Sequence, residues 1–439
     1  MTIGLSEHDP ELFNLIENER KRQIENIELI ASENFTSQPV LECLGSVLTN
    51  KYSEGRTGRR YYGGNEEIDK IENLCETRAL KAFNLDSNDW HVNVQPYSGS
   101  SANFSVYNAI LKPSDKIMCL DLFSGGHLTH GFKTEIKKIS ASSTYFNSKS
   151  YHIDETGYID YKELERIAIN YKPKLIICGA SAYPRDIKYD VFRKISDKVK
   201  AYLMADIAHI SGFVSTGVMN DPFKYCDIVT STPHKTLRGP RSGMIFAKKT
   251  DKLATKIDES GFPSLQGGPH NHQIAALATQ FKEVMEPQFK NYILKVRENA
   301  KYLAKKLTDL GFQLSTDGTD NHILLIDLSN FGITGSKMEH ICDAVNISLN
   351  KNTVYGDKSA LSPSGIRIGT SCMTTRRMPK EGWDKLCLWL KKCVEISRSR
   401  QLIFGKKIKD FLRDIDKDRE IIKLKQEIID YSKRLYFPS

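Results

Sequence analysis

No uninterrupted apolar run in this 439-residue chain approaches the ~18 residues of a membrane-spanning helix, so a helical membrane protein is not expected. The start, Met1 to Pro10, lacks a basic stretch followed by an apolar core, and its acids argue against a transit peptide. The nine cysteines, at 43, 75, 119, 178, 226, 342, 372, 387 and 393, are odd in number and show no CxxC spacing. A disulfide framework and a zinc site are therefore not expected, and a reducing compartment, the cytoplasm, is. GxGxxG and Walker A patterns are missing, which leaves nucleotide binding of those kinds unsupported. Internal repeats and a Pro/Gly/Ser linker are missing too. Charge of one sign is in short supply: 63 Lys and Arg against 54 Asp and Glu leave +9 spread along the chain. The basic tail 406–425 also carries Asp410, Asp414, Asp416 and Glu420. It reads as a salt-bridged helix face, so RNA binding, the reading from a different class, is not expected.

What is present is ordinary globular material, 40% apolar and 27% charged, on a length that allows two to four domains. Asp9-Pro10 opens a helix with Leu12, Leu15 and Ile16 at helical spacing. From about 85 to 250, short apolar runs alternate with amphipathic stretches: 117–120, 175–178, 202–205, 228–230 and 244–246 as strands, 161–171 and 192–200 as helices. That alternation predicts an α/β domain with a mostly parallel or mixed sheet. One long helix is expected from 274 to about 310, then strands at 323–326 and 366–368, a helix at 337–345, and a helical tail with Ile408, Phe411, Leu412 and Ile415 on one face. The expected organisation is a helical arm (1–30), a large α/β domain (31–290) and a smaller α+β domain (291–439).

Ligands of open α/β sheets bind beyond the carboxyl ends of the strands. Four expected strand ends run directly into polar residues: Asp121 and then His127 and His130; Ser181; Asp206 and His209; and Thr232-Pro-His234-Lys235. A lysine just past a strand end, with Arg238 and Arg241 nearby, has the surroundings that lower an amine pKa for Schiff-base chemistry. Asp206 suits a carboxylate held against a pyridine nitrogen. Ser98-Gly-Ser100 runs into a helical pattern, so backbone N–H groups and hydroxyls there can face a phosphate; the same residues also serve as an ordinary helix cap. The segment Lys51 to Gly64, dense in Tyr, Gly, Arg and Glu, fits a binding-site loop better than a core.

Taken together, the motifs resemble the serine hydroxymethyltransferase family, of the eukaryotic type, over essentially the whole chain. They include Leu29-Ile-Ala-Ser-Glu-Asn-Phe35, Tyr52-Ser-Glu-Gly55, Arg60-Tyr-Tyr-Gly-Gly64 and Val94-Gln-Pro-Tyr-Ser-Gly-Ser100. Gly125-Gly-His-Leu-Thr-His-Gly131, Met204 to Gly212, His234-Lys-Thr-Leu-Arg-Gly-Pro-Arg241, Gln266-Gly-Gly-Pro-His270 and Ser364 to Thr370 follow in order. The resemblance implies a pyridoxal-phosphate enzyme of the aspartate-aminotransferase fold type (fold type I). It would move the hydroxymethyl carbon of L-serine to tetrahydrofolate, giving glycine and 5,10-methylenetetrahydrofolate. A folate-independent aldolase of the same fold is the nearest alternative.

The resemblance also implies roles. Lys235 would carry the pyridoxal 5'-phosphate, Asp206 would pair with its ring nitrogen, and His127 would stack on the ring. Ser181 and His209 would lie near the phenolic oxygen and Thr232 near the lysine. Ser98, Gly99, Ser100 and His234 would hold the phosphate, with Tyr52 and Gly268 from a neighbouring subunit of a homodimer or homotetramer. Arg367 would bind the substrate carboxylate, assisted by Ser32 and Tyr62. Glu54 of the neighbouring subunit would be the acid–base group, Tyr61 would stack on folate, and Leu122, Gly126, Leu128 and Asn352 would read its pterin. Two positions depart from the family pattern: Pro233, which stiffens the turn before Lys235, and Ser371-Cys372, which raises the expectation of an oxidisable thiol near the substrate entrance.

Overall fold

The computed structural model describes residues 3–357, 359 and 362–438. Its central sheet has seven strands: β1 (Trp90–Asn93), β2 (Lys116–Leu120), β3 (Asn147–Tyr151), β4 (Leu175–Gly179), β5 (Tyr202–Asp206), β6 (Ile228–Ser231) and β7 (Met244–Lys248). Their spatial order is β1-β7-β6-β5-β4-β2-β3. Strands β2 to β6 run parallel, and β7 is antiparallel to both β6 and β1, so the sheet is mixed. The five expected strands are all present, extended by one or two residues. The two that periodicity did not signal, β1 and β3, are the edge strands. An edge strand pairs on one side only and tolerates a polar sequence such as Asn147-Ser-Lys-Ser-Tyr151.

The expected continuous helix 274–310 is two helices, Asn271–Val284 and Pro287–Asp309. Pro287 disfavours helical geometry in the residue before it, and Glu286 is accordingly extended (φ −78°, ψ 144°). The second helix serves two cores. Phe289, Ile293 and Val296 pack with the central sheet, whereas Ala300, Leu303 and Leu307 pack with the C-terminal residues. There a four-stranded antiparallel sheet orders 313–314, 323–327, 365–369 and 350–352. Ile27 and Leu29, just after the first long helix, belong to this second core, and Ile27–Glu28 pairs in parallel with Ile347–Ser348. Asp9 caps the first long helix, Pro10–Glu25, through the Leu12 amide (3.0 Å). The tail is broken where one helix was expected: Ile408–Phe411, a single 3₁₀ turn, then Arg419–Ser432. None of the described helices is long and apolar enough to cross a membrane.

Candidate active site

The carboxyl ends of β2, β4, β5 and β6 converge, with the helix Gly99–Ile110, on one cleft of about 370 Å³. Its walls include Ser98, Gly99, Ser100, His127, Ser181, Asp206, His209, Thr232, His234 and Lys235, together with Ser32. Residues scattered over two hundred positions meet here because parallel strands all end on the same rim. At the helix N-terminus, Ser98 and Ser101 form a reciprocal cap, Ser101 Oγ accepting from the Ser98 amide at 2.9 Å. Gly99 leaves the approach open: a Cβ there would meet Thr232 Cγ2 at 2.6 Å. The Lys235 turn is closed by Gly239 N–H donating to the Pro233 carbonyl (2.7 Å), and Asn34 Nδ2 donates to the Lys235 carbonyl at 2.9 Å.

Burial sets the protonation states. It lowers the Lys235 amine to about 8, with help from the Arg367 and Arg241 charges and against the pull of Asp206. Arg241 thus acts on the lysine as expected, but Arg238 does not. Its guanidinium turns away to Glu283 (3.5 Å) and lies over the Tyr292 ring. Burial also holds His127 down at about 4 and His234 at about 3, and pushes His209 well below its ordinary value. All three imidazoles are therefore neutral at physiological pH. Burial opposes the charge on Asp206, but hydrogen bonds from His130 and Asn103 and the neighbouring imidazoles hold this carboxyl well below the usual range.

A second lobe of the same cleft shares Ser32, His127, Ser181, His209 and Lys235 and adds Leu122, Gly126, Leu128, Asn352 and Arg367. Arg367 alternates along its strand with buried Ile366 and Ile368, which turns its side chain toward the cleft. Its Nε donates to Asn350 Oδ1 (3.0 Å) and its Nη1 to the Ser181 carbonyl (2.7 Å). Burial alone drags this guanidinium down to about 10. No carboxylate among the described residues pairs with it, and a half-buried cation left unpaired is a receptor for an anion.

Five expected site residues stand elsewhere on this chain. Tyr52, Glu54, Tyr61, Tyr62 and Gly268 do not line the cleft around Lys235. Tyr52 OH donates to Glu54 (3.4 Å), packs edge-on against Tyr62 and presses its ring on Gly268, where a Cβ would come within 3.0 Å. Tyr61 is 74% exposed. Cys372 corrects another expectation: it is buried in the short helix Ser371–Thr375, and burial pushes its thiol well above its ordinary value, which is the reverse of an oxidation-prone thiolate. Asn103, which sequence reasoning did not single out, and His130, which it put at a strand end without a role, both bond Asp206 at 2.9 Å. Each lies inside a quoted motif or one turn beyond it, but only the fold shows what it faces.

The cleft fits pyridoxal phosphate on its own atoms. Thr232 Oγ1, His209 Nδ1 and His234 Nδ1 are buried without a hydrogen-bond partner, a costly state that a polar ligand relieves. They stand with a reactive amine, an ionised carboxylate and a helix N-terminus suited to a phosphate.

Comparison with known proteins agrees. The family model described as serine hydroxymethyltransferase matches residues 5–390. "Serine hydroxymethyltransferase 4" of Arabidopsis thaliana is 52% identical, covering 98% of this chain and 94% of its own. The chloroplastic serine hydroxymethyltransferase 3 of the same plant is 53% identical over 93% of this chain and 78% of its own. The cytosolic enzyme of Saccharomyces cerevisiae is 49% identical over 98% and 96%. With its fold type I architecture and similarity along nearly its whole length, the chain belongs to the serine hydroxymethyltransferase family.

Proposed function

We propose that this protein transfers the hydroxymethyl carbon of L-serine to tetrahydrofolate, giving glycine and 5,10-methylenetetrahydrofolate, with pyridoxal 5'-phosphate held by Lys235. The observation that carries the reading is Lys235, its amine lowered to about 8, sharing one cleft with ionised Asp206 and half-buried Arg367. Bound there, the cofactor supplies an electron sink for cleavage of the serine Cα–Cβ bond.

The rest is the work of the chain. A lysine amine near 8 keeps a substantial neutral, nucleophilic fraction at neutral pH. Ionised Asp206 would keep a proton on the ring nitrogen it faces. Neutral His127 offers a flat, uncharged face for stacking, while Ser181 and His209 would serve the phenolic oxygen. Ser98, Gly99, Ser100, Thr232 and His234 would hold the phosphate. Arg367, assisted by Ser32 and by Tyr62 from the neighbouring subunit, would grip the serine carboxylate in a two-pronged contact that a guanidinium makes better than an ammonium. Leu122, Gly126, Leu128 and Asn352 would present backbone and amide groups to the pterin.

Glu54 would accept the serine hydroxyl proton, and Tyr61 would stack on folate, each from the neighbouring subunit of a homodimer or larger assembly, as would Tyr52 and Gly268. Supporting this sharing, these residues cluster together on one chain, away from its own lysine. The arm 1–30, large domain 31–290 and small domain 291–439 remain our division of the chain, and the cytoplasm our assignment of its compartment, in keeping with nine unpaired cysteines. An assay of labelled serine with and without tetrahydrofolate tests the activity: cleavage that depends on folate, and is lost in Lys235→Ala, is expected. Folate-independent cleavage, or turnover by Lys235→Ala, would contradict it.

A further inference from the structure

Asn103 sits on the helix Gly99–Ile110 and is 2% exposed. Three of its four side-chain hydrogen-bonding positions are occupied. Its Nδ2 donates to Asp206 Oδ2 (2.9 Å) and to Thr129 Oγ1 (2.9 Å), and its Oδ1 accepts from Thr230 Oγ1 (2.7 Å). An ionised carboxylate cannot donate, so the amide nitrogen must be the atom facing Asp206, and the orientation of the whole amide follows. Thr129 carries the pattern further. The Thr129 amide donates to His127 Nδ1 (3.2 Å), which makes that nitrogen an acceptor; the Thr129 hydroxyl, 2.6 Å from the same nitrogen, therefore donates to it as well. His127 is left with its proton on Nε2.

We infer that Asn103 is a positioning residue that sets both groups facing the cofactor ring: the Asp206 carboxylate directly, and the His127 imidazole through the Thr129 hydroxyl. The inference rests on reading the cleft as a pyridoxal phosphate site. It assigns the two carboxylate oxygens different tasks. Oδ2 receives both His130 Nε2 (2.9 Å) and Asn103 Nδ2, while Oδ1 receives, among the described residues, only the Ala208 amide at 3.1 Å. With two strong donors on Oδ2, the oxygen with a lone pair to spare for the ring nitrogen is Oδ1. One amide thereby links the helix that starts at the phosphate cradle, the turn bearing His127, the end of β5 and the end of β6, so that ring nitrogen and ring face are oriented together.

The test uses the full chain, loaded with pyridoxal phosphate and free of it, as parent, Asn103→Ala, Thr129→Val and Thr129→Ser. Two readouts decide it: the affinity and pH midpoint of the bound cofactor's visible absorbance, and the ¹⁵N shifts of the His127 ring in histidine-labelled, cofactor-free protein. Asn103→Ala is expected to weaken cofactor binding at least about tenfold, the size of a lost hydrogen bond to a charged group, and to move the pH midpoint. Both Asn103→Ala and Thr129→Val are expected to shift the His127 Nδ1 signal, and Thr129→Ser, which keeps the hydroxyl, to restore it. A lower melting temperature with both spectroscopic readouts at parent values would reduce Asn103 to a packing residue and overturn the inference. If Asn103→Ala fails to fold, an unchanged His127 signal in Thr129→Val overturns it. A parent that takes up no cofactor defeats the function proposed above, whereas a coloured parent with an unperturbed Asn103→Ala defeats only this inference.

Discussion

Replacing Arg367 puts the substrate side of the account under direct strain. In the structure its guanidinium spends two of five N–H groups on Asn350 and the Ser181 carbonyl, which fixes the plane of the fork and leaves the remaining donors for a ligand. Burial already lowers the group to about 10, so the free protein holds a cation at a cost that only an anion in the cleft relieves. Removing one partner of a buried, hydrogen-bonded charge pair costs about 2–5 kcal/mol. Arg367→Ala should therefore weaken serine and glycine binding by roughly 30- to 5,000-fold. Arg367→Lys, which keeps the charge but not the fork, should fall between parent and alanine variant. Cofactor affinity should change far less, because Arg367 reaches the cofactor side of the cleft only through the Ser181 carbonyl and its charge on Lys235. Spectrophotometric titration of the cofactor-loaded protein with glycine measures both quantities. A glycine affinity within threefold of the parent would refute the placement of the carboxylate, and parallel loss of cofactor would show that the arginine acts on the fold instead.

Two further expectations concern other parts of the molecule. Mixing Lys235→Ala and Glu54→Gln chains, each inactive alone, should restore roughly a quarter of the parent activity if a two-fold dimer completes each site from both subunits. Mixtures as inactive as their components would place Glu54 and Lys235 in one chain's site. Glu28, buried beside Arg22 (3.6 Å), is pushed up to about 7 by desolvation and by Glu33. The folded state thus holds a proton that the unfolded state releases near 4.5, and stability falls as pH rises from about 4.5 to 7, by at most roughly 3 kcal/mol. Glu28→Gln should melt with the parent at pH 4 and above it at pH 8; equal melting temperatures at pH 8 would refute the assignment.

The parts of this fold legible in the sequence were those whose burial leaves a continuous apolar run. Leu175-Ile-Ile-Cys178 and Tyr202-Leu-Met-Ala205 lie in the middle of the sheet and declare themselves, whereas Asn147–Tyr151, on its edge, has no such constraint. Lys235 and Asp206 were legible because each lies at, or a few residues past, the carboxyl end of a central strand, where the fold sends residues to the ligand rim. Asn103 was not, since an asparagine one turn into a helix acquires a function only from Asp206, Thr129 and Thr230, which folding brings to it. Arg238 misled for a related reason. Nearness in sequence to Lys235 is nearness in space only while the chain stays straight, and the turn closed by Gly239 and Pro233 directs Arg238 to Glu283 on another helix. Cys372 misled in the same way, since five positions after Arg367 the chain has already turned into a buried helix.

Borohydride reduction followed by peptide mapping shows whether the amine of Lys235 joins the cofactor. Protein incubated with pyridoxal phosphate, reduced and digested should carry the pyridoxyl group on the peptide containing His234-Lys235-Thr236 at close to one group per chain. A label spread over surface lysines, or a Lys235 peptide recovered unmodified, would contradict it.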